Sequence, residues 1–116
     1  FRSGKLTTHI LDTSLGAPAQ NVEIKLYQKQ NQSINLIKST QTNEDGRCNE
    51  PLLSEDALDE GCYEIEFLID NYYLEKGIEC PFLKDVVIRF YISNRDENYH
   101  VPLLISPYGY STYRGS

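Results

Sequence analysis

The chain has 116 residues, of which 40% are hydrophobic, and its formal net charge is −6. This length predicts one compact domain over residues 1–116, built around a single core. The acidic balance disfavours a nucleic-acid partner, because proteins that bind phosphate backbones present basic surfaces. No apolar run approaches the roughly 18 residues that cross a bilayer, so we expect a soluble protein without a membrane partner.

The N-terminal residues 1–5 lack the charged-then-apolar order of a signal peptide. A remnant of a cleaved leader, a tag scar and a disordered N-terminus are the open interpretations of this segment. The expected location is the cytoplasm, with the periplasm and the peroxisome as open alternatives.

Alternation of apolar and polar side chains recurs along the chain and predicts half-buried β-strands. In chain order, strands are expected at residues 6–12, 22–27, 34–42, 63–69, 86–92, 99–106 and 110–114. Turn sequences separate them at 15–18, 43–46, 59–61 and 93–96, and 28–33 is a polar loop. One helix is expected at 70–77, with Asp70 as its N-cap and Gly77 ending it. Short strands, regular turns and one short helix predict an all-β antiparallel β-sandwich.

The penultimate strand is apolar on both faces. Val101, Leu103 and Ile105 form one face, while Pro102 and Leu104 share the other with His100. A strand of this kind must be covered on both sides, and a domain this small supplies one core. The second face therefore predicts an interface with another copy of the chain.

Three side chains are candidates for chemistry. His9 and His100 are the two histidines of the chain, and alternation turns both away from the core. Imidazole has the ordinary pKa best suited to proton transfer near neutral pH, although a strand histidine is by default a structural residue. Arg47 follows the 43–46 turn, where a guanidinium can present its donors to planar carbonyl or anionic acceptors. The alternative there is an ordinary surface arginine.

The cysteines Cys48, Cys62 and Cys80 show neither a C-x-x-C pair nor the even count of a disulfide framework. Together with two histidines they form no recognisable zinc ligand set, so we expect neither a metal nor another cofactor. Buried or half-buried thiols are the expected state, which is compatible with a reducing compartment.

Three tyrosines crowd the last nine residues, which end in Tyr113-Arg114-Gly115-Ser116. Chain ends normally fray, so an aromatic end directly after a strand predicts a packed segment. From the residues alone, the chain is an oligomeric β-sandwich with a possible site formed by histidine and arginine.

Three segments together resemble the transthyretin-related 5-hydroxyisourate hydrolases. They are LTTHILDTSLGAPA at 6–19, TNEDGR at 42–47 and YHVPLLISPYGYSTYRGS at 99–116. The closing YRGS is the tetrapeptide that marks the hydrolases within this fold. The resemblance covers the chain from residue 6 onward, more weakly between 48 and 85. It implies a transthyretin-like sandwich of two four-stranded sheets and a homotetramer with a channel between dimers.

Carried over to matching positions, the family's catalytic set falls on His9, Arg47 and His100. The resemblance also implies that His9, Arg47, Tyr113 and Ser116 bind the substrate. The reaction implied is the hydrolytic opening of the six-membered ring of 5-hydroxyisourate, which yields 2-oxo-4-hydroxy-4-carboxy-5-ureidoimidazoline in urate degradation. Which histidine is the base and which is the acid stays open.

One departure from the family pattern is visible before the penultimate strand. Many relatives read HYHVPLL, whereas this chain carries Asn98 in place of the first histidine. The retained His100 aligns with the catalytic position, so the departure puts only an accessory role at position 98 in doubt.

Two other classes of function stay open at this point. A transthyretin-like carrier would keep the fold and the channel but bind a thyroid hormone or a similar aromatic ligand without chemistry. Such a carrier needs none of the combination of His9, Arg47 and YRGS. A plain structural β-sandwich would leave both histidines and the aromatic C-terminus unexplained.

Overall fold

Nine β-strands and one helix form the fold in the computed structural model, which describes residues 4–54, 58–79 and 82–115. In chain order they are β1 (Lys5–Asp12), β2 (Ala17–Pro18), β3 (Glu23–Gln30), β4 (Ser33–Gln41), β5 (Leu53–Ser54), β6 (Gly61–Phe67), α1 (Ile69–Glu75), β7 (Val86–Ile92), β8 (Tyr99–Ser106) and β9 (Gly109–Thr112). The all-β class is confirmed, and each strand expected from alternation is present within three residues of its expected bounds.

The strands form two sheets. One has four strands in the order β4-β3-β6-β7, and the other runs β2-β1-β8-β9 with β5 also paired to β1. The expected pair of four-stranded sheets is therefore corrected to a four-stranded and a five-stranded sheet. The additional strand arises because the two-residue strands β2 and β5 pair with opposite ends of β1.

The core lies between the two sheets and uses the inward residues that alternation predicts. Ile24, Leu26, Ile65, Phe67 and Leu103 are completely buried. Burying one side chain of this size contributes roughly 1.5–3 kcal/mol. The hydrophobic pattern thus decides which face of each strand points outward and is available for a site.

The helix α1 begins earlier than predicted, and Asp70 is not its N-cap. The N-cap is Leu68, which has no side-chain acceptor, and Asp70 lies in the first turn. An oxygen of the Asp85 carboxylate accepts a hydrogen bond from the Asp70 backbone N–H at 3.4 Å, so a nearby loop satisfies the helix start. Gly77 follows the helix end with φ +70°, as a left-handed C-terminal glycine does. Within the described ranges, no helix combines the length and apolarity needed to cross a bilayer.

Two of the cysteines match the expected state. Cys48 and Cys62 are free, half-buried thiols. Burial raises the pKa of the Cys48 thiol, which keeps it protonated and poorly nucleophilic. Cys80 lies outside the described residues.

The turn before Arg47 presses its glycine against β1. Gly46 has φ +75°, a conformation that side-chain-bearing residues rarely adopt, and a Cβ at this position would collide with the carbonyl oxygen of Ile10. The Ile10 backbone N–H in turn donates to the Gly46 carbonyl at 2.8 Å. Glycine is therefore required both for the backbone conformation and for the close approach.

Replacing Gly46 with alanine should destabilise the fold by more than the roughly 1–3 kcal/mol expected for a strained backbone conformation. The matched control is Gly16→Ala, because Gly16 has φ +66° but nothing within 4 Å of an added Cβ. Urea unfolding of both variants at one fixed protein concentration measures the difference. Equal losses in the two variants would show that the contact with β1 adds nothing.

Candidate active site

The two histidines lie on one outward face because β1 and β8 run parallel as neighbours. In this register Thr7 pairs with His100 and His9 pairs with Pro102. Thr8, which lies between Thr7 and His9 on β1, points into the core. The rings of His9 and His100 therefore project from adjacent strands of the same surface, one side-chain step apart.

The His100 ring is held by a neighbouring threonine. Thr7 Oγ1 lies 2.9 Å from His100 Nδ1, which leaves Nε2 as the ring nitrogen available to a ligand. Burial lowers the pKa of His100 by disfavouring its charged form, and the positive charges of Arg47 and His9 lower it further. His100 is therefore a neutral imidazole at neutral pH.

The His9 ring is fixed by the turn that precedes Arg47. His9 Nε2 lies 2.9 Å from the main-chain oxygen of Asp45. A carbonyl oxygen can only accept, so Nε2 carries the proton and donates it to Asp45. The remaining nitrogen of His9, Nδ1, is the one that can meet a ligand.

Arg47 is anchored by its backbone and not by its side chain. Its main chain forms an isolated antiparallel bridge with His9, and its N–H donates to Asn43 Oδ1 at 3.3 Å. The side chain is exposed, and its guanidinium has no hydrogen bond or ion pair with any described residue. An arginine held in this way keeps its donors for a ligand.

A depression of about 190 Å³ opens beside Arg47, and its lining also includes Thr7 and residues 48–51. Across residues 4–54, 58–79 and 82–115, no three His, Cys, Asp or Glu side chains group closely enough to hold a metal ion. Neither His9 nor His100 belongs to the lining of this depression. The two imidazoles are linked to Arg47 by its bridge to His9 and by the effect of its charge on His100. This combination suits proton transfer beside a developing negative charge.

The terminal segment closes the other side of His100. The Gly115 N–H donates to the main-chain oxygen of His100 at 2.6 Å, and a Cβ at Gly115 would lie 2.9 Å from His100 Cδ2. The prediction of a packed aromatic end is wrong for the side chains of one chain, since Tyr108, Tyr110 and Tyr113 are all at least half exposed. Only the main chain of Gly115 makes the close contact. Ser116 lies outside the described residues.

Tyr113 occupies a different place in the single chain. It is 61% exposed and lines a depression with Tyr99, Arg114 and the β7 residues Ile88 and Phe90. The structure of one chain therefore brings His9, Arg47 and His100 together, but it does not place Tyr113 among them.

Sequence reasoning missed two parts of this site. The Thr7 hydroxyl and the Asp45 carbonyl orient the two imidazoles. Alternation does place Thr7 on the same face as His9, which was an available signal. The parallel pairing of β1 with β8, which brings Thr7 to His100, cannot be predicted from local periodicity.

Comparison with known proteins matches residues 6–115 to the HIUase/Transthyretin family. A 5-hydroxyisourate hydrolase of Pseudomonas aeruginosa is 48% identical over 116 residues, covering 97% of this chain and 92% of that protein. The 5-hydroxyisourate hydrolase 2 of Rhizobium meliloti is also 48% identical, over 118 residues, with 99% of this chain and 98% of that protein covered.

Solved structures show the same sandwich. An (S)-allantoin synthase has a TM-score of 0.94 and 40% identity over 99% of this chain, which spans 44% of that longer chain. The 5-hydroxyisourate hydrolase of Klebsiella pneumoniae has a TM-score of 0.83 and 34% identity, with 97% of this chain and 99% of that chain covered. Sea bream transthyretin in complex with thyroxine has a TM-score of 0.86 and 28% identity, covering 96% and 94%. On the family match and these relatives, the chain belongs to the HIUase/Transthyretin family.

Proposed function

We propose that this chain hydrolyses 5-hydroxyisourate, opening the six-membered ring to give 2-oxo-4-hydroxy-4-carboxy-5-ureidoimidazoline in urate degradation. The observation that carries this proposal is the meeting of His9, His100 and Arg47 on one outward face, where the Arg47 guanidinium has no hydrogen bond or ion pair with any residue that the structure describes. Relatives named as 5-hydroxyisourate hydrolases, 48% identical over nearly the whole chain, support the same substrate.

The chemistry follows from the state of each group. A water molecule adds to a ring carbonyl carbon, the carbon–nitrogen bond breaks, and the leaving nitrogen receives a proton. Neutral His100, with Nε2 available, accepts a proton from the water and returns it to the nitrogen. Arg47 orients the planar substrate and stabilises the developing oxyanion. His9 presents Nδ1 to the substrate while Asp45 holds the opposite side of its ring.

The proposed assembly is a homotetramer in which copies cover the outward face of the five-stranded sheet. Leu11 and Leu104 are register partners on that face and remain half-buried in a single chain. Covering this apolar pair would also exclude water from the adjacent histidines and strengthen their electrostatic contacts. Tyr113 and Ser116 are proposed to contact the heterocycle in the assembled site.

A hormone carrier is the weaker alternative. The sea bream transthyretin shares the fold at 28% identity, below the 48% of the Pseudomonas hydrolase. A carrier cavity needs neither a neutral imidazole nor an unpaired guanidinium, so the local residues favour catalysis.

The purified chain should accelerate the decay of the ultraviolet absorbance of 5-hydroxyisourate while urate is being oxidised by a uricase. Arg47→Lys keeps the charge but loses the planar donor fork, so its rate should fall on the order of a hundredfold. Arg89→Lys, on β7 in the opposite sheet, is the matched control and should retain the rate. Decay at the spontaneous rate with the unmodified chain would contradict the proposed hydrolase, and near-normal turnover of Arg47→Lys would make Arg47 a surface charge.

Removing the Arg47 charge should raise the pKa of His100, since that charge helps to hold it below the ordinary 6.5. NMR titration of the imidazole in Arg47→Gln measures the shift, and Lys29→Gln on β3 is the control. With a lowered folded-state pKa, the unfolded chain binds the proton more tightly. Stability is therefore lost as pH falls below about 6.5 toward the folded-state value, and this loss should shrink in Arg47→Gln. An unchanged midpoint in the variant would rule out the coupling.

Replacing Leu104 with glutamate should place a charge on the outward face of β8 and split the assembly into smaller species. Activity should fall together with assembly, because the proposed site needs the covering copy. The control is Leu36→Glu, at a 55% exposed position on β4 in the other sheet. Sedimentation measures the oligomeric state, and the 5-hydroxyisourate assay measures the activity. A folded, fully active Leu104→Glu monomer would refute the shared site.

A further inference from the structure

Arg114 ties the terminal segment to the turn that leads into β8. Its Nη2 donates to Glu97 Oε1 at 2.8 Å and to the main-chain oxygen of Asn98 at 3.2 Å. Its guanidinium carbon also lies 4.3 Å from the centre of the Tyr99 ring. One side chain thus contacts three consecutive residues, with a charged pair, a carbonyl contact and a cation–π contact.

The turn that receives Arg114 is itself held in shape. The Tyr99 phenol oxygen accepts hydrogen bonds from the backbone N–H groups of Ser93 and Asn94, at 3.1 and 3.0 Å. Asn94 Nδ2 donates to Glu97 Oε2 at 3.2 Å. The hydrogen bond from Arg114 lowers the pKa of the Glu97 carboxyl, which keeps it ionised. The 93–98 turn is therefore a preorganised binding surface for the Arg114 side chain.

The residue after Arg114 contacts the candidate site directly. Gly115 follows Arg114 and donates its N–H to the His100 main-chain oxygen at 2.6 Å. Its Cα packs so closely on the imidazole that a Cβ there would come within 2.9 Å of His100 Cδ2. A displacement of Arg114 therefore changes what covers His100.

We propose that Arg114 is a positioning residue, which clamps the terminal segment onto the 93–98 turn and so holds Gly115 against His100. The inference rests on the proposed hydrolase function for its catalytic consequence. The clamp needs the planar guanidinium of arginine, because one nitrogen, Nη2, makes both hydrogen bonds while the group lies over the Tyr99 ring. A lysine ammonium can pair with Glu97 but has no planar group to stack on Tyr99.

If Arg114 only stabilised the fold, its loss would lower the urea unfolding midpoint. The side chains of Arg114 and Glu97 are 54% and 49% exposed, and exposed ion pairs contribute little to global stability. Loss of the clamp should therefore leave the urea unfolding midpoint nearly unchanged while altering the surroundings of His100. This separation makes the proposal testable in the full chain.

The test compares Arg114→Gln and Arg114→Lys with the matched control Arg95→Gln. Arg95 lies in the same turn and also pairs with a carboxylate, that of Asp59 at 3.3 Å. Three quantities are measured: hydrogen exchange of the Gly115 amide, the pKa of His100 by NMR titration, and kcat and KM for 5-hydroxyisourate. In Arg114→Gln the amide should exchange about tenfold faster or more.

The pKa of His100 should rise in Arg114→Gln, because its ring loses the cover of Gly115. The fall in kcat/KM should be about tenfold or more, since small misplacements near the reacting atoms are costly. Arg114→Lys should fall between Arg114→Gln and the unmodified chain, and Arg95→Gln should match the unmodified chain in all three quantities.

Unchanged Gly115 exchange and an unchanged His100 pKa in Arg114→Gln would overturn the proposal. Glu97→Gln removes the same ion pair without altering the terminal segment, so it replaces Arg114→Gln if that variant fails to fold, and the same criteria apply to it. Exchange and titration need no turnover. A released Gly115 amide in a chain that does not hydrolyse 5-hydroxyisourate would therefore refute the proposed function and uphold the clamp.

Discussion

The parallel pairing of β1 with β8 is the constraint on which the candidate site depends. Its register is fixed by burial, because a slip of one residue would turn Ile10 and Leu103, both completely buried, out toward solvent. The same register sets His9 and His100 side by side on the opposite face. The cost of exposing core residues therefore protects the geometry of the site, although neither imidazole takes part in the core.

Much of this architecture could be predicted from local patterns, and the rest depends on contacts that such patterns do not record. Alternation identified the inward residues of β1, β3, β6, β7 and β8 and turned His9 outward. It identified none for β4, whose apolar residues Ile34, Leu36 and Ile37 are exposed. It could not reveal that β1 and β8 are parallel neighbours, because pairing between distant strands leaves no local signal. The predicted N-cap at Asp70 was wrong because the helix starts at the buried Ile69. The carboxylate of Asp85, 15 residues later in the chain, accepts a hydrogen bond from the Asp70 N–H in the first turn. The YRGS resemblance identified the family but not the position of Tyr113, which in one chain lies beside β7.

The electrostatics of the site run against those of the whole chain. The protein carries a net charge of −6, yet Arg47 and both histidines meet without a carboxylate partner in the described residues. Burial lowers the pKa of His100, and the positive charges of Arg47 and His9 lower it further because they repel a protonated His100. A planar substrate develops negative charge as it reacts. The positive charge of the site stabilises the substrate most at the point of the reaction where that negative charge is greatest. Stabilisation of that kind favours the transition state over the free substrate.

Two glycines explain how so small a sandwich holds these groups at short range. Gly46 lets the turn before Arg47 approach the backbone of β1, and Gly115 lets the terminal segment approach the ring of His100. At both glycines the contact is made by the main chain. The main chain has fewer rotatable bonds than a long side chain, so it holds the contact more rigidly. A carrier and a hydrolase can therefore share one sandwich fold and differ in function through what the turns and the chain end bring to one sheet face.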